Sequence, residues 1–101
     1  MYTSKLQSAE TDRLFRAILS LNDMEECYRF FDDLCTISEV KAMAQRIQVA
    51  QMLRDGKTFT QISEQTGVSS ATITRVNRCI SYGSDGYRVA LDRLKEQDDE
   101  A

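Results

Sequence analysis

The stretch Thr58–Ile80, TFTQISEQTGVSSATITRVNRCI, decides the fold. One glycine, Gly67, separates two short amphipathic patterns. Before it, Thr58 and Gln61 stand three apart, the spacing of a capping box that opens a helix. After it, Ser69 or Ser70 supplies the cap of a second helix, with Ile73, Val76 and Ile80 on one side. Two helices meeting at ~90–120° through a short glycine-containing turn form a helix-turn-helix. That crossing needs a small residue in the first helix, a glycine at the turn and apolar residues that lock the pair. Ile62, Ser63, Gly67, Val68, Ile73 and Val76 meet those needs at the matching spacings.

The second helix of such a motif enters the DNA major groove with its N-terminal residues at the base edges. Its first turn here is Ser69-Ser70-Ala71-Thr72. These side chains are short, so the backbone can approach the groove floor, where methyl groups meet thymine methyls and hydroxyls bond bases or phosphates. Thr74, Arg75 and Arg78 follow along the same helix, the arginines within reach of a phosphate or a guanine edge. The unpaired backbone amides at the N-terminal end of that helix also attract phosphate. Lys57 and Thr58, at the start of the preceding helix, are counted among the candidate DNA contacts. One of Ser69 and Ser70 is expected to serve as the cap alone.

Charge distribution agrees with this reading better than total charge does. The chain of 101 residues carries a net −3. Lys41–Ile80 holds six basic residues against two acidic ones, a local +4, and the remainder carries −7. Phosphate attraction acts over about a Debye length, ~8–10 Å, so the local excess governs. The last residues, 97–101, read as a solvated acidic tail.

Working outward, the periodicity is helical throughout and there is no proline. Ser8 or Thr11 opens a first helix with Leu14, Phe15, Ile18 and Leu19 on one face. Asp23 and Glu26 open a second, with Met24, Cys27, Tyr28, Phe31 and Leu34. Thr36 and Glu39 open a third, which runs to about Asp55 with Val40, Met43, Ala44, Ile47, Ala50 and Leu53 inward; Gly56 ends it. The turn-rich Ser81–Gly86 precedes a last helix bearing Tyr87, Ala90, Leu91 and Leu94. The expected organisation is therefore one all-α domain of six helices. Dimerisation helices occupy about 8–54, the helix-turn-helix about 58–81, and a C-terminal helix about 85–96. The apolar first helices either fold back on the later ones or cross into a second subunit.

Several function classes receive no support. There is no histidine, no paired-cysteine metal spacing among Cys27, Cys35 and Cys79, and no phosphate-binding glycine loop. An enzyme, a metal site and a cofactor are accordingly not expected. No apolar run approaches a membrane span, and the N-terminus lacks a signal peptide's apolar core, so a cytoplasmic location is expected.

Ala71-Thr72-Ile73-Thr74-Arg75 after a glycine turn resembles the recognition helix of the bacterial Trp repressor family. The segment Ala42–Gly56, AMAQRIQVAQMLRDG, is similar to the long helix before that family's reading head. The likeness spans roughly residues 10–95 and is nearest the YerC/YecD-like subgroup. It implies an intertwined homodimer that binds a double-stranded operator with two symmetric heads. In tryptophan-sensing members two arginines sandwich the indole ring; Arg46 and Arg75 match them, and Thr36 falls where a threonine lines the pocket. Those members have glycine at the position after the second arginine. Here it is Val76, and the segment before the head is one residue shorter. A small-molecule effector is thus an implied possibility, but tryptophan is not the expected one. Without a ligand, Arg46 and Arg75 are expected to pair with acidic residues or contact phosphate. Beside the DNA-binding regulator, expected to act as a repressor, stand two alternatives: a metabolite-gated regulator, and a protein-interaction module that has lost DNA binding.

Overall fold

In the computed structural model, which describes residues 2–100, local capping chemistry sets where each helix begins. Ser8 accepts from the Thr11 amide and opens α1, Ala9–Leu19. Asp23 Oδ1 accepts from the Glu26 amide at 2.8 Å and opens α2, Met24–Leu34. Glu26 reaches back to the Asn22 amide at 2.7 Å, one residue beyond the position of a standard box. α3 spans Ile37–Arg54. Thr58 opens α4, Phe59–Thr66, with both halves of the box formed: the Gln61 amide donates to Thr58 Oγ1, and the Thr58 amide donates to Gln61 Oε1. Ser69 opens α5, Ser70–Tyr82, and α6 covers Gly86–Glu100. No strand occurs among the described residues.

Two breaks frame the reading segment. Gly67 ends α4 at φ 73°, a left-handed conformation that glycine adopts without steric cost. Gly83 ends α5 for a different reason. A side-chain carbon there would lie 2.3 Å from the Cys79 carbonyl oxygen, the atom that the Gly83 amide bonds.

The chain divides into two compact units, the first ending at Ile37 and the second beginning at Ser38. In the first, neither α1 nor α2 contains a buried residue. Phe15 is 48% exposed, Leu19 83% and Tyr28 68%, while Leu14, Ile18, Phe30 and Phe31 are half-buried. The phenyl rings of Phe30 and Phe31 meet edge to face, 5.5 Å between centroids.

The second unit holds the core. Val49 and Ala50 of α3, Ile62 of α4, Val68 of the turn, Ile73 and Val76 of α5 and Leu91 of α6 form one buried cluster. Met52, Leu53 and Tyr87 pack against it. Four helices thus contribute one or two side chains each, and each full burial of such a side chain is worth about 1.5–3 kcal/mol.

Three expectations require correction. Val40, Met43, Ala44 and Ile47 do not turn inward within the chain; all four are exposed, as are Met24 and Leu34. Their apolar spacing is real, but the described residues cover them only in part: Val40, Met43 and Ile47 keep 37–38% of their surface exposed. Ile80 and Leu94 are likewise exposed. The C-terminal helix does not stop near 96: α6 continues through Glu100. The acidic run Glu96-Gln97-Asp98-Asp99-Glu100 contains no glycine or proline to stop a helix, and Glu and Gln are good helix formers.

Candidate nucleic-acid interface

α5 has two faces of opposite character. Ile73 and Val76 sit at 0% and 1% exposure against Ile62 and Val68. Ser70, Ala71, Thr74, Arg75 and Arg78 are all exposed. The spacing 71, 74/75, 78 puts these on one side of the helix, and together with Cys79 they line a shallow groove. Arg78 stands seven positions after Ala71, so the two lie about 10 Å apart along the axis. A B-DNA major groove is about 8.5 Å deep.

The two serines take different roles. Ser69 is extended at φ −65°, ψ 153°, and its Oγ accepts from the Thr72 amide at 3.2 Å. The Ser69 hydroxyl also donates to Thr72 Oγ1 at 3.1 Å. Ser69 is the cap, and it engages Thr72, which is half-buried. Ser70 is the first helical residue. Thr58 is similarly occupied by its box with Gln61, whereas Lys57 beside it is exposed.

Among the described residues the ion pairs are Arg29–Glu25, Arg54–Asp92, Arg88–Asp85 and Arg88–Asp92. Lys57, Arg75 and Arg78 take part in none of them, so the exposed face of α5 presents uncompensated positive charge. Of the two expectations for Arg46 and Arg75, pairing with acidic residues is not met among the described residues. Arg46 is half-buried on α3; Thr36 belongs to the other compact unit. Val76, at the position where the sensors have glycine, is a core side chain locked against α4 and α6.

The Arg54–Asp92–Arg88 cluster went unread in the sequence. Arg54 closes α3, and its guanidinium donates to Asp92 Oδ1 on α6, 38 residues away. Arg88 lies 3.8 Å from the same carboxylate and 3.5 Å from that of Asp85. The hydrogen bond from Arg54 holds the Asp92 carboxyl below the usual aspartate range. The charges of Arg54, Arg88 and Lys95 add to that, against an opposing effect of burial. The Asp85/Arg88/Asp92 spacing was legible as helical neighbours; the link to Arg54 has no local signal.

No helix among the described residues is long and apolar enough to cross a membrane, and no group of three or more potential metal ligands converges.

Comparison with known proteins places this arrangement. Residues 9–95 match the sequence model of the family described as Trp repressor protein. The uncharacterized protein YerC of Bacillus subtilis (strain 168) is 57% identical over 101 residues, covering 100% of this chain and 97% of that protein. A solved TrpR-like protein from Eubacterium eligens ATCC 27750 is 50% identical with a TM-score of 0.86, covering 90% of this chain and 94% of that one. A candidate Trp repressor from Staphylococcus aureus, solved by crystallography, is 49% identical with a TM-score of 0.85, covering 90% and 91%. With its six-helix order, glycine-turned head and two-faced α5 all accompanied by a match over most of its length, the chain belongs to the Trp repressor family.

Proposed function

We propose that this chain is a sequence-specific DNA-binding transcriptional regulator, acting as a repressor in the cytoplasm, that reads the major groove with α5. The observation that carries the reading is the division of α5. Its inner face is locked into the core by Ile73 and Val76, while its outer face offers small residues at the tip and two free arginines behind. Ser70, Ala71, Thr74 and Arg75 are assigned to the base edges, and Lys57 and Arg78 to phosphates. Ser69, Thr72 and Thr58 support that surface chiefly through their caps. Membership of a regulator family supports the same function.

The working form in this reading is a homodimer. The apolar residues exposed on α1, α2 and the first half of α3 favour it, since faces of that kind on soluble proteins mark interaction sites. Two heads related by a two-fold axis would meet half-sites one DNA turn apart, ~34 Å. The core position of Val76 favours a regulator without tryptophan as effector.

Gel shifts on genomic fragments between 50 and 200 mM salt test the reading. Binding to particular fragments is expected, with affinity falling about 10³-fold or more across that range if six or more phosphates are engaged. Absence of a shift at every salt concentration, or affinity independent of salt, contradicts it.

A further inference from the structure

We infer that Asp92 is a positioning residue that limits non-specific DNA affinity: it holds the guanidinium of Arg54 in an internal ion pair and so withholds that charge from phosphate. The inference rests on the function proposed above. Three observations carry it.

The first is that the fold builds the pair. Leu91, next to Asp92, is seated in the core, and Leu53, next to Arg54, packs against the same cluster. Both side chains start from anchored backbone. That lowers the ordering cost that makes most exposed ion pairs weak. The second is position. Arg54 is the last residue of α3, three residues before Lys57 and four before the Thr58 cap of α4. In a helix-turn-helix the first helix of the pair crosses the DNA backbone, and α4 is that helix. A free arginine at this corner stands beside the phosphate path, with its side chain already 40% exposed. The third is contrast. Among the described residues Lys57, Arg75 and Arg78, the charges assigned to DNA, form no ion pair, whereas Arg54 does. Arg88 is a lesser case, because Asp85 also engages it and would retain it without Asp92.

The consequence is one of residence on random DNA. Phosphate contacts carry no sequence information and strengthen binding to all DNA alike. An arginine kept from phosphate lowers affinity for the many non-specific sites, so less of the protein is held on them.

The test measures binding of the full chain to random-sequence duplex DNA by fluorescence anisotropy from 50 to 200 mM salt. It compares the unsubstituted protein with Asp92→Asn, Asp92→Glu and the double variant Asp92→Asn/Arg54→Gln. Each added phosphate contact steepens the slope of log K against log salt by about 0.9, which multiplies the affinity lost over this range by about 3.5-fold. Asp92→Asn is expected to show one such step per chain, with tighter binding at 50 mM. Asp92→Glu keeps the charge and is expected to keep the original slope, and removing Arg54 in the double variant returns the slope to that value. An Asp92→Asn slope equal to the unsubstituted one, or weaker binding at every salt with no change in slope, overturns the inference while leaving the proposed function in place. Absence of binding by the unsubstituted protein at 50 mM salt overturns both.

Discussion

Ile73→Ala is expected to lower the unfolding free energy by about 2–5 kcal/mol. Ile73 is completely buried and lies in a cluster of only seven buried side chains. Its loss leaves a cavity between α4 and α5 with few neighbours able to close it. A domain of this size has a total stability of about 5–15 kcal/mol, so the variant approaches the limit of remaining folded. Urea titration followed by circular dichroism reads the change as a lower midpoint with an unchanged slope. Thr74→Ala, one residue on but exposed, is expected to stay within about 0.5 kcal/mol of the unsubstituted protein. Equal effects at the two positions would mean that α5 is not held by the face described here.

The second large effect falls on binding. Arg75→Ala is expected to cost about 1–3 kcal/mol of affinity for a cognate site, or about 5- to 150-fold. Stability should barely change, because Arg75 is exposed and forms no ion pair among the described residues. Anisotropy against a specific and a random duplex separates the possible contacts. A base contact gives a large loss on the specific duplex and relaxed specificity. A phosphate contact gives an even loss on both and a salt slope shallower by about 1. Affinity unchanged on both duplexes would remove Arg75 from the interface. Ile73 and Arg75 are two positions apart on one helix, yet their substitutions should register in opposite assays. That dissociation follows directly from the two faces of α5.

How much of this was readable beforehand depended on the range of the interaction. Caps are local, so Asp23 and the Thr58–Gln61 box were visible as residue spacings and recur as hydrogen bonds, and of the pair Ser8 and Thr11 the first is the cap. Gly67 was legible for the same reason: its left-handed turn is a property of one residue. The choice between Ser69 and Ser70 as cap was not, because both are competent and only the backbone geometry decides. Periodicity correctly marked Val76, Ile73 and Ala50 as apolar-face residues, and these are buried. The same pattern in Val40, Met43 and Ile47 identified an apolar face without indicating what covers it, and the described residues bury it only in part. Composition misled at the C-terminus, where acidity suggested a tail beyond the helix but the helix runs on through Glu100. The Arg54–Asp92 pair joins residues 38 apart and leaves no mark on any local pattern.

The candidate site divides along the same line. Which face of α5 looks outward followed from the positions of its apolar residues. Which hydroxyls remain free for a ligand did not, because Ser69 and Thr72 satisfy each other only once the first turn has formed.

In vitro selection of bound duplexes from a random pool addresses the reading of DNA by α5 most directly. The expected outcome is enrichment of a short motif present twice, related by a two-fold axis, with half-site centres about 10 base pairs apart. A pool that stays random through successive rounds, with the protein folded and binding conditions at low salt, would contradict it.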